Sequence, residues 1–361
     1  MTSPVSLAFP SSLLLRGPMP GTLGIGLLAP LSGVMGIAGP AILNCAQLAA
    51  EQIAARTDLV PELVLIDAGR RPAEVATEVR QLLDAGLIIG LVGAHTSDVR
   101  VAVSRAVTAD VPYVFTPPHD TASPRSNTVF TGSAPRLQLR RPLAWISRTH
   151  ALRRWALIGN DYVWPREVHR EAAGQLRAIG QEVVLDRLVP LGAVDTERLL
   201  DEARSRRADA VLLSLVGRDG ITFLRDAAAS GADRRFVRLS TALDENCLLA
   251  IGGDTTGTLY SAMPSFVLQQ DDRHQDFLER YVHRFGTAAP VPASYAEGCH
   301  DGVLLLADLW LSGLLETMPA IRAAHALRAD RSGDDGAPPS GAVRLARAEE
   351  TALVVIDQAG M

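Results

Sequence analysis

The residues of this chain best placed to do chemistry are hydroxyls and aromatic rings that stand where apolar runs end. Tyr162 and Trp164 lie two apart in Ile158-Gly159-Asn160-Asp161-Tyr162-Val163-Trp164-Pro165-Arg166-Glu167, after an apolar run that begins at Trp155. His95, Thr96 and Ser97 follow the run 87–92, Phe115 and Thr116 close the run that starts at Tyr113, and Thr241 follows the run 236–239. In a chain with only 5% aromatic residues, two rings in one such loop read as a site wall. Together these side chains describe an uncharged pocket, suited to a small neutral polar molecule such as an amide or urea. Its carbonyl would accept from backbone N–H and hydroxyl groups, its NH₂ would donate to oxygens, and its plane would stack between rings. Such a site rejects an isostere lacking one hydrogen-bonding group, because a buried partner is left unpaired. A carboxylate would call for Arg or Lys, and an amino acid also for an acid. Asp98, Arg100, Arg218 and Asp219 are near these loops without forming that set.

Plainer roles stay open for the same residues. Thr96 and Ser97 fit a helix N-cap and its neighbour. Thr116 before Pro117 fits simple strand-to-turn punctuation, and Tyr162 and Trp164 could pack beneath the adjacent loop.

Catalytic patterns are missing: there is no GxSxG elbow, HExxH helix or Walker loop, and the eight histidines show no base-and-nucleophile pairing. Cys45, Cys247 and Cys299 are far apart and have no metal-ligand spacing. The expectation is therefore a protein that is not an enzyme, with no metal and no cofactor. Gly24-Ile25-Gly26-Leu27-Leu28-Ala29 imitates a dinucleotide fingerprint, but its glycines fall inside an apolar strand rather than in the turn after one. Asp67 stands about 40 residues further on, where roughly 20 is usual. These glycines read as close-packing positions in a central strand.

The elements that must position the pocket alternate. Apolar runs at 23–28, 63–66, 87–92 and 113–115 read as buried strands, and between them helical spacing recurs, as in Ile42, Ala46, Ala49 and Ile53, or in Val75, Val79 and Leu82 after Pro72. The alternation restarts at Trp155, with Val168, Ala172, Leu176 and Ile179 on one helix and strands near Val183, Val211 and Phe236. This is the pattern of parallel sheets covered on both faces, whose ligands sit at the carboxyl ends of the strands. Segments 119–135 and 259–263 read as crossings between lobes, and 331–339 as an exposed loop. The expected division is a loosely held terminus at 1–21, one lobe from 22–132 with 264–325, and a second from 133–263 with 326–361.

A length of 361 residues, 47% hydrophobic and 21% charged, fits two ordinary globular units. A net charge of −5 argues against a direct nucleic-acid surface. No run spans a bilayer, so membrane insertion is not expected, and residues 1–20 lack the pattern of a secretory or lipoprotein signal. A cytoplasmic location is expected on that basis, with a periplasmic or membrane-associated extracellular one if the true start lies upstream. The helix around 303–315 could present a homo-oligomer contact or belong to the core.

The run Gly159 to Glu167, followed by Val189-Pro190-Leu191-Gly192, resembles the type I periplasmic-binding-protein family. More narrowly, it resembles the branch that holds the amide-sensing negative regulator of the aliphatic amidase operon and the urea and short-chain-amide transport receptors. Gly26-Leu27-Leu28-Ala29-Pro30-Leu31-Ser32-Gly33, Gly93-Ala94-His95-Thr96-Ser97-Asp98-Val99-Arg100, Ala208-Asp209-Ala210-Val211 and Tyr295-Ala296-Glu297 add to it. The resemblance implies two α/β lobes, each a doubly wound parallel sheet, joined by three crossings and closing by a hinge on a ligand in the interlobe cleft. It matches Ser97 and Thr241 to ligand-contacting hydroxyls, Tyr162 and Trp164 to a pair of pocket aromatics, and Phe115 to another. His95 stands where the amide sensor has a tyrosine, and Pro117 where it has a threonine. Two roles follow: an intracellular sensor that works through a separate regulatory effector protein, or the substrate-binding component of an ABC transporter for amides, urea or branched-chain amino acids. The lack of a signal in residues 1–20 favours the sensor.

Overall fold

The computed structural model describes residues 6–17, 21–120, 127–331 and 343–356. The loop expected at 331–339 lies almost wholly outside them, as do residues 1–5 and 18–20.

Lobe 1 is a six-stranded parallel sheet in the order β1-β3-β2-β4-β5-β6. Its strands are β1 (Ser6–Ala8), β2 (Thr22–Ala29), β3 (Val60–Asp67), β4 (Gly90–Gly93), β5 (Tyr113–Phe115) and β6 (Thr128–Phe130). Between them run α1 (Pro10–Arg16), α2 (Gly39–Arg56), α3 (Pro72–Asp84) and α4 (Ser97–Ala106). The runs read as apolar are continuous because both faces are buried, and alternate residues serve opposite faces. Leu63 and Leu65 join the core beneath α2, whereas Val64 and Ile66 join the one beneath α3 and α4.

Lobe 2 is built on β7 (Arg154–Asn160), β8 (Glu182–Val189), β9 (Ala210–Ser214), β10 (Val237–Ser240) and β11 (Leu259–Met263), all parallel in the order β8-β7-β9-β10-β11. Helices α5 (Pro135–Thr149), α6 (Val163–Ala178), α7 (Thr196–Ser205), α8 (Gly217–Ala229) and α9 (Glu245–Ile251) cover it. The chain returns to lobe 1 with α10 (Asp272–Phe285), α11 (Ser294–Leu311) and α12 (Ala320–Arg331), then adds the antiparallel strands β12 (Arg344–Glu349) and β13 (Ala352–Val355) to the edge of the second sheet.

Three details differ from expectation. The stretch read as a loosely held terminus supplies β1, which pairs Leu7 with Leu63, and α1, which buries Leu13 completely. Pro10 occupies the first turn of α1, where its fixed φ suits a helix instead of interrupting one. The segment 259–263, read as a crossing, is the strand β11; the crossing is the following 264–271. Likewise β6 still belongs to the first sheet, so the first crossing narrows to 131–134. The third runs between α12, packed on α11 and β6, and β12. Among the described residues no helix is long and apolar enough to cross a membrane.

Candidate functional site

The carboxyl ends of β4, β5, β7 and β9 face one another across the gap between the lobes. A cavity there is lined by Met35, His95, Thr96, Ser97, Pro117, Pro118, Tyr162, Trp164, Val216 and Tyr295. Its volume is about 10 Å³, room for about one water molecule. A larger depression of about 460 Å³, lined by Arg153, Arg177 and Glu182 among others, lies at the opposite end of β7 and β8. It is remote from the strand ends where an open α/β sheet gathers its loops. The interlobe cavity is therefore the candidate site.

Hydrogen bonds at two helix starts hold the cleft shut, and the Asn246 side chain of α9 adds a pair to the Val291 backbone of lobe 1, at 2.8 and 3.2 Å. The Trp164 backbone N–H donates to Ser97 Oγ at 3.0 Å, and the Arg218 N–H donates to the Val34 carbonyl at 2.8 Å. Trp164 and Arg218 are each the second residue of a helix, α6 and α8, and neither helix has a side-chain cap of its own. The first N–H groups of a helix lack intrahelical partners, so lobe 1 caps two helices of lobe 2 in trans. Gly217 makes the second contact possible. Its φ is +48°, and a Cβ there would sit 2.2 Å from the Val34 carbonyl oxygen.

The sequence-predicted residues divide into two groups. His95, Thr96, Ser97, Tyr162 and Trp164 come together on the cavity wall. Tyr162 and Trp164 are not in a free loop: Tyr162 is the N-cap residue of α6 and Trp164 lies in its first turn, their rings 6.5 Å apart. The Trp164 indole Nε1–H is buried without a hydrogen-bond partner. Thr96 holds the N-cap position of α4, yet its hydroxyl makes no capping bond.

Phe115, Thr116 and Thr241 are not on the wall. The Phe115 ring is fully buried beneath α4, edge-on to His95 at 5.3 Å. Thr116 donates its hydroxyl to the Gly93 carbonyl at 3.2 Å, and Thr241 donates to the Leu213 carbonyl at 3.2 Å. Each threonine also places its backbone N–H on that same carbonyl. They lock neighbouring strands together, one in each lobe.

His95 reaches the wall with both ring nitrogens occupied. Nδ1 donates to the Thr96 carbonyl at 2.9 Å, which leaves Nε2 to accept from the Tyr113 hydroxyl at 2.8 Å. Burial pulls its pKa down to about 4, so the ring is neutral at ordinary pH. It offers a ligand a ring edge rather than a hydrogen bond.

Met35, Pro118, Val216 and Tyr295 also line the cavity without having been singled out. Val216 follows β9 as Tyr162 follows β7, so the strand-end rule would have found it. Asn160 has a further part. Its Oδ1 accepts from the Val216 N–H at 2.9 Å, its Nδ2 donates to Asp219 at 2.6 Å, and Asp219 accepts from the Gly192 N–H at 2.8 Å. One buried amide thus fixes three loops of lobe 2. In lobe 1 Asp67 ties two loops together, accepting from the N–H groups of Leu31, Ser32 and Gly69. That carboxylate is engaged with protein backbone. A Cβ on Gly24 would lie 2.1 Å from the Leu87 carbonyl oxygen, which gives that glycine a packing role.

A base-and-nucleophile pairing that the sequence does not reveal lies in lobe 2. His169 Nε2 is 3.0 Å from Ser214 Oγ, and its Nδ1 is 2.7 Å from Asp186 Oδ1. The burial runs opposite to that of a hydrolytic triad, in which the serine is reachable and the carboxylate buried. Here Ser214 is fully buried under Gly159, while the Asp186 side chain is 54% exposed. The network ties α6 to β8 and β9. Among the described residues no cluster of His, Cys, Asp and Glu could hold a metal ion.

Comparison with known proteins agrees with this architecture. A leucine-binding protein LivK from Thermotoga maritima superposes with a TM-score of 0.77 at 16% identity, covering 93% of this chain and 98% of its own. A solute-binding protein of an ABC transporter from Rhodopseudomonas palustris, solved with p-hydroxybenzoic acid, gives 0.76 at 17% identity over 93% and 96%. The branched-chain amino acid transporter substrate-binding protein LivJ from Streptococcus pneumoniae, solved with isoleucine, gives 0.76 at 16% over 93% and 99%. At these identities the likeness shows the fold: two α/β lobes of the type I arrangement. A family model described as periplasmic binding protein matches residues 22–324. That match spans both lobes and most of the chain, which belongs to the periplasmic binding protein family.

Proposed function

We propose that the protein binds a small neutral polar ligand, a short-chain amide or urea, between its lobes, and that closure on the ligand serves as an intracellular sensor signal to a separate effector protein. The observation that carries the ligand class is the cavity wall, which bears rings, hydroxyls and prolines but no charged side chain. Around it stand the buried Trp164 Nε1–H without a partner and the amino-terminus of α4 without a side-chain cap. Both favour an electron-rich oxygen such as an amide carbonyl. A cavity of about 10 Å³ admits no organic molecule. Entry thus requires the lobes to part and the Ser97 and Val34 contacts to break. A ligand then acts only through its different affinity for open and closed lobes. The sensor role rests on the resemblance of the segment 159–167 to the amide-sensing branch.

A second reading, a transport receptor for amino acids, is favoured by Asp98. Its Oδ1 is buried without a partner, and its charge acts on both His95 and Tyr162. That carboxylate could meet an ammonium group. The structural neighbours that bind leucine or isoleucine point the same way for their own ligands.

Thermal-shift titration with acetamide, urea, benzoate and isoleucine separates the two, since a ligand that binds only the folded state raises its apparent stability by mass action. Stabilisation by acetamide or urea, lost in Tyr162→Ala, is the expected result. Stabilisation by isoleucine alone would sink the neutral-ligand proposal and favour the receptor.

A further inference from the structure

The second crossing, 264–271, is gripped at one residue by a titratable group from each lobe. The Val267 N–H donates to Glu245 Oε1 of α9 at 2.8 Å, and the Val267 carbonyl lies 3.3 Å from His274 Nε2 of α10. The other nitrogen, His274 Nδ1, faces Glu297 Oε1 of α11 at 3.0 Å. Both partners of His274 are acceptors, so the full set of bonds needs both ring nitrogens protonated. Glu245 Oε2 and Glu297 Oε2 are buried and have no hydrogen-bond partner among the described residues.

From this geometry we infer that the second crossing is a proton-sensitive joint, in which doubly protonated His274 holds the Val267 carbonyl and Glu297 at once and gives up one of them when it loses a proton, while Glu245 keeps the Val267 N–H throughout. The sites of action are distinct from the ligand wall, but the consequence for ligand closure rests on the cleft-binding proposal above.

The neighbouring charges leave this trio to respond. Arg273 pairs with Asp301 at 2.6 Å, His300 faces Asp301 at 3.1 Å, and Arg344 of β12 pairs with Asp271 at 3.2 Å. Asp244, itself pushed upward by burial, caps α9 through the Cys247 N–H. Burial lifts the Glu245 carboxyl to about 7, helped by the charge of Asp244 and opposed by the Val267 N–H and by His274. Burial alone would lower His274, but the hydrogen bond and charge of Glu297, the Val267 carbonyl and Asp271 outweigh it and hold it above the ordinary value. The folded-state value of His274 is raised by the bonds it makes, so those bonds favour the gripped joint at low pH and are lost as pH rises through that value. As pH rises, His274 keeps one N–H for two acceptors.

The test is amide hydrogen exchange across 264–271 in the ligand-free protein, together with the distance between spin labels, one in each lobe. Because no ligand is present, a wrong ligand assignment leaves the outcome untouched. Between about pH 6 and about pH 8 the protection of this segment, corrected for intrinsic exchange, should fall several-fold. The interlobe distances should broaden in step. In His274→Gln the pH response should shrink several-fold, and Glu297→Gln, which removes the charge facing the imidazolium, provides the same comparison should the first variant fold poorly. An unchanged wild-type profile between the two pH values would overturn the inference, as would a response of wild-type size in either folded variant.

Discussion

Replacing Ser97 by alanine should move the lobes apart without unfolding either. Ser97 is buried, and its hydroxyl accepts from the first turn of a helix in the opposite lobe. Loss of a helix cap costs about 1 kcal/mol, and a buried N–H left unpaired costs about 1–3 kcal/mol. That penalty falls on the closed arrangement alone, since water can reach the Trp164 N–H once the cleft opens. A bias of about 1–2 kcal/mol changes the ratio of closed to open lobes by a factor of about 5–30. The Val34 and Asn246 contacts stay in place, so the shift should be partial. Cysteines introduced at the exposed positions Arg80 and Arg206, one per lobe, can carry spin labels, because Cys45, Cys247 and Cys299 are all buried. Pulsed EPR on the ligand-free protein should show a longer-distance population growing in Ser97→Ala. Thr241→Val is the control: its hydroxyl bonds within lobe 2, so it should lower denaturation stability and leave the distances alone. If Ser97→Ala leaves the distance distribution unchanged, or Thr241→Val shifts it equally, the trans cap does not hold the cleft.

His95 should make lobe 1 acid-sensitive. Its folded pKa is depressed from 6.5 to about 4, so the unfolded chain takes up a proton first as pH falls. The stability is full above about pH 6.5 and declines toward pH 4, by about 3 kcal/mol in all. Urea denaturation at these two pH values should show that loss, and His95→Gln should flatten it. Asn160→Ala should leave the Val216 N–H and Asp219 without their partner, costing about 1–3 kcal/mol in denaturation and weakening ligand binding, with lobe 1 untouched.

Much of the scaffold was legible because its signals are local. Pro72 opens α3, the apolar residues Val168, Ala172 and Leu176 all fall on the buried face of α6, and the central strands β2, β4, β5 and β9 read as apolar runs. What escaped depends on distant partners. β1 is a strand only because β3 offers it an edge. The segment 259–263 resembled a crossing because its polar atoms are satisfied elsewhere: Ser261 donates to the Leu243 carbonyl at 2.6 Å, and Tyr260 faces His150 at 2.8 Å. The His169–Ser214–Asp186 network joins a helix to two strands, and no spacing in the chain announces it.

The misplaced site residues follow a simpler geometry. Residues at a strand's last position alternate between its two faces, so they point into the covering helices and not along the strand into the cleft. Phe115 turns toward α4, Thr116 packs its methyl toward Gly302 of α11, and Ser214 meets His169 of α6. The wall begins two residues beyond each strand end. β4 ends at Gly93 and His95 lines the cavity; β5 ends at Phe115 and Pro117 lines it; β7 ends at Asn160 and Tyr162 lines it; β9 ends at Ser214 and Val216 lines it. One residue is needed to leave the ladder and one to turn, after which a side chain can face the gap. The offset assigns Pro117 in place of Thr116. At the wall position after β5 the chain therefore presents a ring without a donor. A ligand held here would draw its hydrogen bonds from Thr96, Ser97, Tyr162, Trp164, Tyr295 and the amino-terminus of α4. That is why Ser97, which also latches the lobes, is the residue whose substitution should couple ligand affinity to lobe closure.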